Sequence, residues 1–360
     1  VKTLLTIVAL LSVLEMSEAD ARPGKGVSKW QFVVKDAAIT YMVAAPDGDL
    51  IAAGPIKGSN TFGTKTLQSE YDGVWVARIG SSGTSKWAVL VDPPTKKYVQ
   101  QYPSSLSVAP DGSVRVSVRR REAPYLRHVT ISADGARQTV DALVADSRTM
   151  DSSSFANGDV LVSAEPGGKD KCKGGMLQRL ALGGKRVWAI CNQVEVGTLH
   201  RTSVLADGRS ALCANEWIGE FSTKGKRAWE AKHPDERWCQ SIALLDSGDV
   251  VAVFDESATN TARLWKANGK LGWTKKCTEL VKKSSGNCLL EGLTVSGEDV
   301  VLTVRDWTNS LIVVLDGRTG AMKKAYPLDI DAAFGPLVAT TASIAVGTTG
   351  STMTIESLER

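Results

Sequence analysis

Histidine is nearly missing from this sequence, with three in 360 residues, at His128, His200 and His233. None stands at metal-ligand spacing from another histidine or a cysteine, and none has an evident nucleophile partner, so all three read as surface or capped residues rather than as catalytic groups. No Cys-x-x-Cys pair or Cys/His cluster occurs, which removes the usual zinc motifs. Long apolar runs are absent as well: the longest, residues 4–14, is too short to span a bilayer, so no membrane insertion is expected. Neither sign of charge dominates, at 43 basic against 39 acidic residues, and apart from Arg119-Arg120-Arg121 the basic residues are spread along the chain. A nucleic-acid footprint is therefore lacking, and no nucleic-acid partner is expected. No segment of helical period follows residue 21.

The apolar run of residues 4–14 stands behind Lys2 and ahead of Ala19-Asp20-Ala21, which fits the small-x-small rule of a signal peptidase. Residues 1–21 are thus expected to be a signal peptide and 22–360 a single secreted domain, periplasmic or extracellular, mildly basic and monomeric. Six cysteines, Cys172, Cys191, Cys213, Cys239, Cys277 and Cys288, all lie in the second half, and none follows the leader where a lipid-bearing cysteine would sit. An even count in an exported chain favours disulfides, with fifteen pairings open to three bonds.

The recurring phrase is a glycine four residues ahead of a tryptophan: Gly83 and Trp87, Gly184 and Trp188, Gly225 and Trp229, Gly269 and Trp273. Each lies downstream of a second turn, such as Asp47-Gly48 or Ser247-Gly248. The two signals recur every few tens of residues and mark a chain built from copies of one four-stranded β-unit. Six units are complete by residue 328, the second with Thr139 in the tryptophan place. The tail beyond supplies three strands, and the fourth stands at the other end, where Lys29-Trp30-Gln31-Phe32-Val33-Val34 matches Lys86-Trp87-Ala88-Val89-Leu90-Val91. The expectation is an all-β, seven-bladed β-propeller of four-stranded blades, its ring closed by pairing the N-terminal strand with the C-terminal blade. Trp30, Trp87, Trp188, Trp229 and Trp273 are then wedges between blades.

The segment 62–87, with its GVWVARIGSSGTSKW run, resembles the SBBP-type repeats of exported bacterial propellers. Gly269-Lys270-Leu271-Gly272-Trp273 and Asp316-Gly317-Arg318-Thr319-Gly320 are similar to the quinoprotein-like (PQQ-like) repeat. The resemblance implies a propeller fold for nearly the whole mature chain. Its redox enzymes carry a quinone with calcium, a catalytic carboxylate and in some families a vicinal disulfide; no adjacent cysteine pair exists here, and no cofactor or metal is expected. Its non-enzymatic members include a lipid-anchored outer-membrane scaffold, whose anchoring cysteine this chain lacks.

Strand order sends the loops after the second and fourth strands of every blade to one face, and all six cysteines fall on or near it. Cys277 and Cys288 flank one crossing loop and should pair; Cys172 with Cys191 and Cys213 with Cys239 are compatible pairings that sequence leaves open. The same face gathers tryptophans outside the repeat, Trp217, Trp238 and Trp307, with the charged Glu216, Asp255, Arg305 and Asp306 beside them. Aromatic planes with carboxylates and arginines suit a glycan or protein ligand. The expected function is binding through this loop face, without a catalytic residue; the alternative is a propeller enzyme acting on a carbohydrate or small alcohol, in one form quinone-dependent. Asp47-Gly48-Asp49 reads as a hairpin turn rather than a calcium loop, and Arg119–Arg121 and the pair Asp329 and Asp331 as solvated surface.

Overall fold

The computed structural model describes residues 28–35, 37–93, 100–121, 126–143, 149–165, 172, 175–194, 201–214, 217–232, 238–255, 260–281, 288–306, 310–328, 334–340, 343–348 and 352–359. These form an all-β propeller of four-stranded antiparallel blades. Six sheets run consecutively along the chain, each ordered first strand to fourth, and a further sheet is ordered Ser28–Lys35, Thr352–Glu359, Ser343–Thr348, Phe334–Ala339. In that closing sheet Ser28 faces Leu358 and Lys35 faces Thr352, so strands from the two ends of the chain complete it. The innermost strands touch in order: Tyr41–Ala44, Gln101–Val108, Thr149–Ser154, Arg201–Val204, Cys239–Leu244, Leu289–Ser296 and Phe334–Ala339, the last lying beside the first. The one helical element among the described residues is the turn Cys277–Leu280.

The core lies between sheets. Ile51, Val74 and Val76 of the first sheet pack on Val114, Val116 and Val118 of the second, and Val251, Val253 and Leu264 of the fifth on Val300, Leu302 and Val313 of the sixth. A sheet buried on both faces needs runs such as Val250–Phe254 rather than strict alternation. The first sheet departs from the expected pattern: its second and third strands, Leu50–Phe62 and Lys65–Ile79, continue as one long hairpin where the repeat suggests a loop. Phe62 stacks 4.8 Å from Trp75, and with Leu67 and Ile56 it buries Phe32 and Val34 of the N-terminal strand.

The glycine–tryptophan phrase has a physical reading. The turn glycine of five sheets lies on the tryptophan of the sheet before it: Gly83 on Trp30, Gly135 on Trp87, Gly225 on Trp188, Gly269 on Trp229 and Gly320 on Trp273. A Cβ on Gly225 would stand 2.6 Å from Trp188 Cδ2, and the backbone there has φ +74°, so the position excludes a side chain twice over. Several indoles also donate Nε1–H across the seam, Trp87 to the Ala133 carbonyl at 2.9 Å, Trp188 to Thr223 at 3.1 Å and Trp273 to Gly317 at 2.9 Å. Trp229 and Trp273 are buried, whereas Trp30, Trp87 and Trp188 keep part of their surface exposed.

A second seam device was not read from the sequence. Arg78 is clamped by Asp49 and Asp47, both at 2.6 Å, and donates onward to the carbonyls of Gly112 and Ala133 in the next sheet. Arg179, held by Asp159 at 2.7 Å, donates to Gly208. Arg209, held by Asp207 and Glu220, reaches Asp246, and Lys266, held by Asp249, reaches Arg318. The Asp47-Gly48-Asp49 turn is thus a hairpin whose carboxylates hold an arginine. His128, expected near the surface, is instead fully buried in the second sheet beside Ser117 Oγ at 3.3 Å.

Replacing Gly225 by alanine should cost about 1–3 kcal/mol and Trp188 by alanine about 2–3 kcal/mol, below the range for a fully buried indole. The double variant should lose about 1 kcal/mol less than the sum, since the new Cβ then meets space; strict additivity in urea denaturation would show that the two do not touch. Burial first, and the Arg115 charge second, hold His128 down at about 4 against an ordinary 6.5. The unfolded chain takes that proton first as pH falls. The His128 contribution is therefore whole above 6.5 and drains away toward 4, roughly 3 kcal/mol in all. A His128→Gln variant should show a flatter decline of Tm over that window.

Candidate functional site

The antiparallel order 1-2-3-4 places the ends of second strands and the starts of innermost strands on one face. The disulfides follow that face. Cys172–Cys191 lies within the third sheet with Cα atoms 5.2 Å apart, Cys213–Cys239 joins the fourth sheet to the fifth at 6.1 Å, and Cys277–Cys288 closes the crossing from the fifth to the sixth at 5.6 Å.

The best-defined surface on this face is the segment Trp238-Cys239-Gln240. Cys239 opens an innermost strand opposite Phe254, with a bulge after it that leaves Gln240 out of register; bulges re-aim side chains next to functional surfaces. Four partners hold the segment. The Asp255 N–H donates to the Trp238 carbonyl at 3.0 Å, Cys213 bonds Cys239, Arg201 Nε donates to the Gln240 carbonyl at 2.7 Å, and Asn260 Nδ2 donates to Gln240 Oε1 at 3.3 Å. On this fixed backbone the Trp238 side chain is 58% exposed, beside an exposed Asp255. An indole displayed by a braced backbone loses little further entropy when a ligand covers it.

Of the other residues expected here, Trp217 is half-buried: its ring meets Phe221 edge-on at 6.3 Å, Arg227 lies over it at 5.5 Å, and it packs on the core between the third and fourth sheets. Arg305 is tied at 2.5 Å to Glu291 on the sixth innermost strand, and Asp306 is buried. Trp238 and Asp255 are thus brought together, while Trp217 serves the seam and Arg305 pairs one sheet on. Glu216, Trp307, His200, His233, Asp329, Asp331 and residues 1–21 lie outside the described residues.

Sequence reasoning missed the polar inner wall. Asp151 Oδ2 accepts from the Thr202 N–H at 2.7 Å and from Thr202 Oγ1 at 2.9 Å. Ser153 meets Thr202 Oγ1 at 2.9 Å, Ser105 meets Ser154 at 2.7 Å, and Ser152 donates to Ser104 at 2.9 Å. The second to fourth sheets are therefore stitched by hydroxyls, while Tyr41 and Val43 on the first innermost strand pack against apolar side chains. Burial pushes the Asp151 carboxyl up, with Arg201 and the two Thr202 donors opposing. Burial, then Asp151, raise the Tyr41 phenol, against Arg201 and Arg119. Arg119 and Arg120, read as solvated surface, are half-buried here. The visible signal was polarity in innermost strands, TMDSSS and RTSV against YMVA.

A quinone–calcium pair does not fit these residues. Calcium takes 6–8 oxygens, and no group of three or more His, Cys, Asp or Glu able to hold a metal ion exists among the described residues; on the innermost strands Asp151 stands beside an arginine that bears on it, and Glu291 is paired with Arg305.

No family model matches the sequence, and no curated protein does. Solved structures do. The Dos1 propeller is similar with a TM-score of 0.58 at 10% identity, over 93% of this chain and 94% of that one. A catalytically inactive virginiamycin B lyase from Staphylococcus aureus with quinupristin gives 0.57 at 13%, over 90% and 96%. YCF48 bound to D1 peptide gives 0.57 at 9%, over 91% and 96%, and BamB from Moraxella catarrhalis gives 0.50 at 11%, over 88% and 95%. At such identities the likeness establishes the β-propeller fold.

Because Asp151 is raised above its ordinary 3.8, the native state keeps its proton to higher pH than the unfolded chain. Its stabilising contribution is present below 3.8 and is lost as pH rises through the native value. Asp151→Asn, which keeps an acceptor for Thr202, should raise Tm by about 1–3 °C at neutral pH and give no gain at acid pH. A fall in Tm at neutral pH would mean the charge stabilises the fold.

Proposed function

We propose that this chain is an exported seven-bladed propeller, 22–360, that binds a peptide segment of a partner protein through its loop face, without catalysis, as a monomer. The observation that carries the reading is Trp238: a largely exposed indole on a backbone held from four sides, next to the exposed carboxylate of Asp255. Such rigid aromatic anchors with adjacent hydrogen-bonding groups are the usual energetic centre of a protein interface. Three disulfides on the same face support an oxidising compartment outside the cytoplasm. Among structures of this fold, the propeller of YCF48 holds a peptide, which supports the choice of a peptide over a glycan. Seven innermost strands in mutual contact support the blade count. The proposed set also takes in Glu216 and Trp307, whereas Trp217, Arg305 and Asp306 are already engaged or buried in the fold.

The enzyme alternative draws on a different observation, the raised carboxyl of Asp151 on the channel wall, since shifted acids gather at reactive sites. Peptide and glycan arrays probed with the purified protein separate the readings. Peptides are expected to score, with Trp238→Ala cutting affinity by about tenfold or more at unchanged Tm. Hits confined to glycans, or a Trp238→Ala variant that binds peptides like wild type, would refute the peptide surface.

A further inference from the structure

The turns that fasten the seams also carry an arc of charge. In the third to sixth sheets, the turn before the outermost strand and the start of that strand read ALGGKRVW (181–188), STKGKRAW (222–229), KANGKLGW (266–273) and DGRTGAMKK (316–324). Asp316 is the one acid in the four segments. Direct contacts set them side by side. Trp188 Nε1 donates to the Thr223 carbonyl at 3.1 Å, Gly269 lies on Trp229, and Trp273 Nε1 donates to the Gly317 carbonyl at 2.9 Å.

Some of these cations are already engaged. Arg227 is held by Glu230, Lys266 by Asp249 at 2.9 Å and Lys323 by Asp299 at 2.6 Å, while Arg186 Nε donates to Gln178 Oε1 at 3.2 Å. Lys185, Lys224, Lys226, Lys270 and Arg318 are exposed, and their side chains make no ion pair among the described residues. The acids of the inner turns do not cancel them. Asp159 is held by Arg179 and Asp207 by Arg209, which leaves only Asp246 and Glu298 in those turns to set against the five. In the first two sheets the corresponding turns are balanced, with Lys86 held by Asp49 at 2.7 Å and Asp134 three residues from Arg137. The excess is confined to one arc of the turn face.

Apolar side chains stand among these cations. Leu182, Val187, Leu271 and Met322 are each about half exposed, and all four lie in the turn or in the first two residues of an outermost strand. Single aliphatic tips set among lysines do not make the core of a protein interface, where lysine is depleted. They suit an anionic bilayer, whose headgroups attract dispersed cations and whose acyl boundary takes up separate aliphatic side chains. We propose that this arc docks the protein on the surface of an anionic lipid membrane, the five cations against the headgroups and the aliphatic tips at the acyl boundary. The arc lies at the opposite end of the sheets from Trp238, so the inference is independent of the peptide reading. A docked molecule turns its loop face away from the lipid.

The test is cosedimentation of residues 22–360, which contain every described strand, with vesicles of phosphatidylglycerol and phosphatidylcholine in equal parts, against vesicles of phosphatidylcholine alone. The anionic vesicles are expected to bind about tenfold or more tightly, with the difference shrinking as salt is raised. Lys224→Glu with Lys226→Glu should remove most of that preference. Lys232→Glu with Lys276→Glu makes the same change in net charge at the loop-face end of two outermost strands, and should keep it. Val187→Ser with Leu271→Ser should weaken anionic binding about fivefold. All of these side chains are exposed, and an unchanged Tm checks that each variant is folded. The proposal falls if wild type binds both vesicles alike or neither, or if the two lysine pairs lose equally, which would reduce the effect to net charge. It also falls if the serine pair binds as tightly as wild type, which would hand the arc to a soluble polyanion. Loss with Trp238→Ala but not with Lys224→Glu and Lys226→Glu would move the membrane contact to the loop face and overturn it as well.

Discussion

Each sheet of this protein has two apolar faces and can bury them only against its neighbours. That constraint governs everything else. Side chains such as Val250, Val251 and Ala252, buried in succession along one strand, would put every second residue in water if a neighbouring sheet were removed. The seam, rather than any single blade, is thus the stabilising unit, and the glycine–tryptophan contact and the aspartate-held arginine are its two fasteners. Both act at the turn end of the sheets, where a glycine without a Cβ lets an indole lie flat on the backbone and a guanidinium satisfies carbonyls that two hairpins leave open.

Fastening at one end frees the other. The turn face is short, regular and occupied with holding sheets together, whereas the loop face carries the disulfides and an innermost wall that changes character around the ring. Between the second and fourth sheets the wall is hydroxyl-rich and charged; on the first sheet it is apolar. Buried polar contacts of this kind add only modestly to net stability, so the apolar seams, more than this wall, hold the sheets together. The Cys213–Cys239 bond stands where the polar wall meets the exposed indole and fixes one to the other.

Much of the fold was legible because the repeat writes its turns in glycine and its wedges in tryptophan, residue types with few other reasons to recur at fixed spacing. The match between the segments around Trp30 and Trp87 disclosed the closing strand, and Gly83 lying on Trp30 is the same contact made across the join. The long hairpin at Ile56 to Leu67 was hidden because its residues carry no turn phrase until Gly63-Thr64. The arginine fasteners escaped because their partners are distant in sequence, 29 positions for Arg78 and Asp49. The polar wall escaped for a related reason: a single Asp151 or Arg201 reads as surface until topology puts four innermost strands side by side. Trp238 and Trp217 both stood out as tryptophans outside the repeat, yet Trp238 is exposed and Trp217 is half-buried against Phe221, since composition does not say which side of a strand faces a neighbour.

The pairing of Ser28 with Leu358 also sets a clock on folding. A ribosome delivers the first strand long before its three partners, and during that interval Phe32 and Val34 have a matching apolar surface in the first sheet and its long hairpin, but no edge to hydrogen-bond with. The hairpin can shelter this strand as an early substitute for the absent sheet. The last step of assembly is then the arrival of three C-terminal strands at an edge already in place, a closure of very high contact order that is expected to be slow and that leaves the final sheet as the segment through which the ring would first reopen.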